Sequence, residues 1–240
     1  MVSRLCVALD LVPDVSGLRL LNKLPADLSD IEVAEFAFQR RRAQTGLDRL
    51  APCLQKVVGF SCVLNSGVDF HVHSFAADSE RDVLAAFWAL CERASIERWS
   101  EREAPMQSVL LRSLQLGVVA LQFEAFPEAL HDRLAGRGVE YTALSDVARL
   151  SGLPAFDEAD QERAWQYLLA GDWNSLRVQA ELRAVATCVL DLRYRLMSRQ
   201  LMLEEYRMQE KALRGSLAES EAPHLQAFES AWLPVQSALR

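Results

Sequence analysis

Two histidines in this sequence have a spacing that is compatible with metal binding. His71 and His73 lie two residues apart, so they share one face of a strand and could chelate a metal ion. No cysteine or carboxylate obviously completes such a site, and a polar, solvent-facing side of a strand is the commoner meaning of this pattern. We therefore predict no metal at these histidines.

Three consecutive arginines, Arg40, Arg41 and Arg42, form a basic run at the end of a predicted helix. Such a run can contact the phosphates of a nucleic acid, or it can simply complement the negative end of the helix dipole. The sequence leaves both interpretations open, with nucleic-acid binding as one expectation and a solvated helix terminus as the other.

The cysteines do not suggest a metal or disulfide framework, because no two of them form a Cys-x-x-Cys pair. All five lie in apolar segments, which is typical of reduced core cysteines in a cytoplasmic protein. The sequence also contains no nucleophile elbow, no glycine-rich phosphate loop and no Walker motif. The five cysteines are Cys6, Cys53, Cys62, Cys91 and Cys188.

Composition narrows the class of protein further. The chain has 240 residues, half of them apolar, so it can bury a sizeable core and is not generally disordered. Its net charge of −7 argues against a broad basic surface for nucleic acid, although a local basic groove remains compatible with it. No apolar run approaches about 18 residues, and the first one stops at Asp10, so we expect neither a membrane span nor a signal peptide.

Strands are predicted early in the chain and helices late, which indicates one α/β domain with helices packed over a mixed sheet. The pattern at Val15–Leu24 is ambiguous, and Ser29 with Glu32 forms a capping box for the second predicted helix. The predicted strands are Leu5–Leu11, Ile96–Trp99 and a hairpin of Lys56–Leu64 with Val68–Phe75. The predicted helices are Ser29–Gln44, Asp78–Arg93, Met106–Leu116, Glu128–Leu134, Tyr141–Leu150, Gln161–Ala170, Asn174–Arg199, Glu204–Ser216 and Pro223–Leu239.

Three segments together resemble a known family. Residues 9–14 (LDLVPD), 50–64 (LAPCLQKVVGFSCVL) and 192–201 (LRYRLMSRQL, followed by Glu204, Glu205 and Tyr206) are similar to bacterial predicted 3′-5′ exonucleases related to the proofreading domain of family B DNA polymerases. The resemblance runs in order along the whole chain. It implies a ribonuclease-H-like fold over 1–240, with residues 201–240 as a helical C-terminal extension. It also implies hydrolysis by two divalent metal ions.

The resemblance also implies where the metal-binding residues should stand. The family has Asp-x-Glu on its first strand, an Asp at the start of a middle helix, and an Asp on a late helix with a Tyr four residues before it. Here Asp10 matches the first Asp, but the Glu is missing. Pro105 falls on the second Asp, Gln179 on the Tyr, and Arg183 on the last Asp.

This pattern predicts a catalytically degenerate nuclease without a cofactor, because one carboxylate cannot hold two divalent ions and an arginine repels them. Arg183 could instead pair with Asp10, or it could point to solvent on an ordinary helix face. The protein would then bind a protein partner or single-stranded nucleic acid, and its negative charge favours the protein.

Two alternatives remain from the sequence. The chain could be an active exonuclease that uses Asp10 with Mg²⁺ or Mn²⁺ and substitute acidic ligands, or it could be a structural oligomeric subunit. Glu101 and Glu103 lie nearest the second motif and are the best substitutes. The other candidate acids are Asp132, Asp157, Glu158 and Asp160.

Overall fold

The computed structural model describes residues 4–46, 49–91, 95–97, 105–120, 130, 143–156 and 161–233. For residues 95–97 and for Pro105 it describes the backbone alone. The helix predicted over Glu128–Leu134 lies outside these residues, apart from Leu130.

A four-stranded mixed sheet forms the centre of the fold, in the order β3-β2-β1-β4. The strands are β1 (Arg4–Pro13), β2 (Gln55–Asn65), β3 (Phe70–Ala76) and β4 (Ser95–Glu97). β2 runs antiparallel to both β1 and β3, whereas β4 is parallel to β1. The predicted hairpin and the short fourth strand are confirmed, and so is the mixed α/β class.

Helices follow the strands along the chain, largely where the periodicity of the sequence predicts them. They are α1 (Val15–Asn22), α2 (Asp30–Thr45), α3 (Glu80–Cys91), α4 (Pro105–Leu116), α5 (Leu144–Leu150), α6 (Gln161–Leu169), α7 (Trp173–Met197), α8 (Leu203–Ala218) and α9 (Pro223–Ala231). A short 3₁₀ turn, Pro52–Leu54, precedes β2. The ambiguous segment thus proves helical, and α2 begins with the capping box of Ser29 and Glu32.

The alternation of side chains along β1 separates two packing layers. Leu5, Val7 and Leu9 contribute to an apolar cluster that also contains buried residues of α3 and α4. Cys6 and Ala8 point to the opposite face, into a cluster with residues of α7, α8 and α9. Asp10 continues this second row, so a carboxylate stands on the sheet face beneath α7.

The helical C-terminal part shares its core with the sheet and α7. Leu213 and Leu217 of α8 and Phe228 of α9 are buried in the same cluster as Val63 and Phe70 of the hairpin. None of the helices in the described part of the chain is long and apolar enough to cross a membrane.

Candidate functional site

Asp10 lies at an irregular point of β1, where the register against β2 shifts between Asp10 and Leu11. Its partner across the ladder is Gly59. A Cβ atom at Gly59 would stand 3.1 Å from the carbonyl oxygen of Phe75 and 3.4 Å from Oδ2 of Asp10. Glycine therefore leaves room for the Asp10 carboxylate and for β3 to approach closely.

Arg183 of α7 reaches across the sheet face and forms a buried ion pair with Asp10. One guanidinium nitrogen donates to Oδ1 of Asp10 at 2.7 Å, and the two side chains are only 7% and 8% exposed. Nε of Arg183 also donates to the carbonyl oxygen of Gln179 at 3.3 Å. The pair that the sequence suggested is therefore present, and Arg183 does not face solvent.

A cavity of about 290 Å³ opens beside this ion pair, between β3 and the start of α7. Its wall is mostly apolar and includes Phe75, Trp173 and Leu176, and Arg177 lies on its lining with an exposed side chain. Among the described residues that line it, Asp10 is the only carboxylate. The cavity could hold a small molecule or an inserted side chain beside the paired Asp10.

The other positions implied by the resemblance add no carboxylate to this region. Gln179 is half-buried on α7, one turn before Arg183, where its backbone carbonyl supports the guanidinium. Pro105 begins α4, a helix whose Met106 packs into the cluster on the opposite face of the sheet. All six candidate substitute acids lie outside the described residues, Glu101 and Glu103 included.

The three arginines of the run on α2 bind different neighbours. Arg40 donates to the side chain of Asn22, Arg41 donates to the carbonyl oxygen of Arg49, and Arg42 pairs with Glu162 at 3.3 Å. Each arginine thus has a partner within the chain, and nucleic-acid binding at these residues stays a prediction.

His71 and His73 lie on the same side of β3 as expected, with ring centroids 6.1 Å apart. Within the described ranges, no group of three or more histidine, cysteine, aspartate or glutamate side chains is placed to hold a metal ion.

A second buried ionic network was missed by sequence reasoning. Arg112 of α4 donates two hydrogen bonds to Glu80 of α3, at 2.9 and 2.6 Å, and it also pairs with Asp14 after β1. Glu80 in turn accepts from the backbone N–H of Val57 at 2.8 Å. The only signal in the sequence was Arg112 itself, a charged residue inside an otherwise apolar predicted helix. The sequence does not indicate which acidic residues it pairs with.

The pKa values in this network follow from its contacts. Burial alone would raise the pKa of Asp14, but hydrogen bonds from Ser16 and Gly17 and the charge of Arg112 outweigh it, so the pKa is lowered. Burial would likewise lower the pKa of Arg112, yet its contacts with Glu80 and Asp14 raise it. The lowered pKa of Asp14 and the raised pKa of Arg112 both favour the charged forms of this pair, which joins α4 to the end of β1.

A chain of polar contacts connects the Asp10 face to the C-terminal helices. Ser61 and Ser74 share a hydrogen bond of 2.9 Å, and Ser74 donates to Glu181 at 2.6 Å. The second carboxylate oxygen of Glu181 contacts Nε2 of His224 on α9. Glu181 is buried, and these partners satisfy both of its oxygens.

Comparison with protein families gives a match. The model of a family described as "Predicted 3'-5' exonuclease related to the exonuclease domain of PolB" matches residues 48–232, which is more than half of the chain. The chain therefore belongs to this family of predicted exonucleases. The matched range begins after β1, so Asp10 lies outside it. Comparison with curated proteins and with solved structures found no match in either set.

Proposed function

We propose that this chain is a catalytically inactive member of the exonuclease family, and that its fold serves binding in place of hydrolysis. The observation that carries the proposal is the buried ion pair between Asp10 and Arg183. Arg183 stands where the resemblance implies a metal-binding aspartate. Its guanidinium is paired with the carboxylate of Asp10, the one implied metal ligand that this sequence retains.

The donors present do not fit a pair of divalent metal ions. Mg²⁺ and Mn²⁺ in such sites need several carboxylate oxygens, and a two-metal site places the ions roughly 3.5–4 Å apart. Here the described surroundings of Asp10 supply one carboxylate, a guanidinium at 2.7 Å and two serine hydroxyls in the cavity wall. A cation entering this site would meet the positive charge of Arg183, so we derive no metal-dependent step for it.

A protein is the partner that the charge of the molecule favours for the binding role. The chain carries −7, and the three arginines of α2 are engaged with their own neighbours. Nucleic-acid binding draws its affinity from clustered lysines and arginines that release counterions from phosphates. We therefore assign the fold to protein recognition.

The first test is degradation of a 3′-labelled single-stranded DNA by the purified protein, with Mg²⁺ and with Mn²⁺, beside an Asp10→Ala variant. We expect no shortening by either protein, while a known exonuclease added to the same reaction digests the DNA fully. Cleavage that disappears in the Asp10→Ala variant would refute the proposal, because substitute ligands would then have rebuilt a metal site.

A second test asks whether the arginine is what keeps the metal out. Replacing Arg183 with aspartate puts two carboxylates at the site, so an Arg183→Asp variant should gain thermal stability from Mn²⁺ while the parent protein does not. Stabilisation of the parent protein by Mn²⁺, lost in Asp10→Ala, would contradict the proposal.

A further inference from the structure

We propose that the free edge of β3 is a docking site for an extended, positively charged segment of a partner protein, which would add a strand to the sheet. This inference rests on the binding role proposed above and names its surface and partner. The surface lies along the outer edge of the hairpin and adjoins the cavity beside Asp10, since the linings of both include Arg177.

The pairing of β3 with β2 determines which backbone groups face outward. In an antiparallel ladder, the N–H and C=O of one residue point to the same neighbour, and successive residues alternate. The carbonyl of Phe75 approaches Gly59 of β2, whereas the carbonyl of Phe70 accepts a hydrogen bond from Ser216 of α8 at 2.6 Å. The backbone groups of Val72 and Ser74 therefore point away from β2.

These outward groups have no hydrogen-bond partner in the part of the chain that the structure describes. β3 is the end strand of the sheet there, and no described strand pairs with its outer side. Buried or half-buried backbone N–H and C=O groups are nearly always satisfied by a partner or by water. The edge thus presents N–H and C=O groups in the spacing that another extended chain needs.

Beyond Phe70, whose outward carbonyl is covered by Ser216 of α8, the strand also lacks the side-chain features that normally protect an edge. Natural edge strands carry lysine, proline, an inward charge or a bulge that prevents pairing with another chain. β3 reads FHVHSFA and has none of these, and its pairing with β2 is regular over all seven residues. An unprotected edge of this kind is expected where a partner covers it.

A groove beside the edge gives the docking segment a place to lie. Cavities of about 450 and 550 Å³ run between β3 and the helices α8 and α9, and both are lined by Phe70, His71 and Ser216. Small residues of α8, including Gly215, form part of the floor. The two cavities are therefore parts of one channel along the first half of β3.

Charge selects the class of segment that fits the groove. Its lining carries three exposed acidic residues, Asp69, Glu219 and Glu221, and one exposed arginine, Arg177. Glu181 also lines it but is engaged by Ser74 and His224. A basic peptide complements this surface, whereas a second copy of the chain would bring the same acidic groove against itself.

The test is fluorescence anisotropy with a labelled eight-residue peptide of alternating lysine and valine. The full-length protein should bind it, and a Glu219→Lys/Glu221→Lys variant should lose about tenfold or more in affinity. The matched control is Asp27→Lys/Glu204→Lys, which makes the same change in charge at exposed positions away from the groove. Loss of binding in the first variant alone supports the proposal, and equal loss in both overturns it.

Two modified peptides separate strand addition from simple charge attraction. A peptide with glutamate in place of lysine, and a lysine peptide with every backbone amide methylated, should both fail to bind. Equal binding by either one overturns the proposal. So does sedimentation of the free protein as a dimer that excludes the peptide, since a second copy would then cover the edge. If the peptide does not bind, the docking proposal is wrong but the proposal of an inactive nuclease still stands. If the protein cleaves DNA, the proposal of an inactive nuclease is wrong, and the peptide measurement still decides the docking proposal.

Discussion

Replacing Arg183 with alanine should destabilise the protein strongly, because it leaves the Asp10 carboxylate buried without its counter-charge. Both side chains of the pair are less than 10% exposed. Removing one member of a buried ion pair costs roughly 3–5 kcal/mol. The 290 Å³ cavity beside Asp10 admits water to the stranded carboxylate, which places the cost near the lower end, about 3 kcal/mol.

The assay is urea unfolding at neutral pH, followed by circular dichroism, together with a thermal melt. A loss of about 3 kcal/mol corresponds to a fall in Tm of roughly 6–12 °C for a chain of this size. The matched control is Arg177→Ala on the same helix, whose side chain is 52% exposed and lies 3.9 Å from Glu181. That control should change the free energy of unfolding by less than about 0.5 kcal/mol.

A double-mutant cycle separates the contribution of the ion pair to stability from the packing contacts that Arg183→Ala also removes. Asp10→Asn combined with Arg183→Ala removes both charges, so the double variant should be more stable than the sum of the single effects predicts, by about 2 kcal/mol. Additive effects, or a stability of Arg183→Ala equal to that of Arg177→Ala, would refute our account of the buried pair.

Three further predictions concern the second network and the cysteines. Arg112→Lys keeps the charge but loses the two parallel bonds to Glu80, so it should lower the free energy of unfolding by about 2–3 kcal/mol in urea titrations. The pKa of Asp14 is lowered, so its contribution to stability is complete above the ordinary value of 3.8 and is lost as the pH falls below that value. Asp14→Asn should therefore be less stable than the parent protein at neutral pH, and urea titrations at a series of pH values should show this gap narrowing below pH 3.8. Burial raises the pKa of Cys62 and of Cys91 to about 12, so both should resist alkylation at about pH 8 until the chain is unfolded. Rapid labelling of either of these two cysteines in the native protein, located by peptide mass spectrometry, would contradict this.

The local pattern of the sequence predicted most of the elements because each one depends on neighbouring residues. The β-branched run and turn of the hairpin predicted β2 and β3, and Ser29 with Glu32 predicted the start of α2. The α1 segment was ambiguous, since its N-cap, Asp14, is itself held by Arg112 from α4, 98 residues away. The start of α1 is therefore stabilised by a residue distant in sequence, which the residues of Val15–Leu24 alone do not reveal.

The amino-acid pattern was enough to predict the α/β class and the exonuclease family, and its resemblance to that family implied an arginine, Arg183, at a position of a metal-binding aspartate. The role of this arginine depends on the packing of α7 across β1, because Asp10 lies 173 residues away along the chain and the two charges meet only in the folded protein. The same holds for the edge of β3. A strand can be read from alternating side chains, but which of its backbone groups remain without a partner depends on the strand that lies beside it.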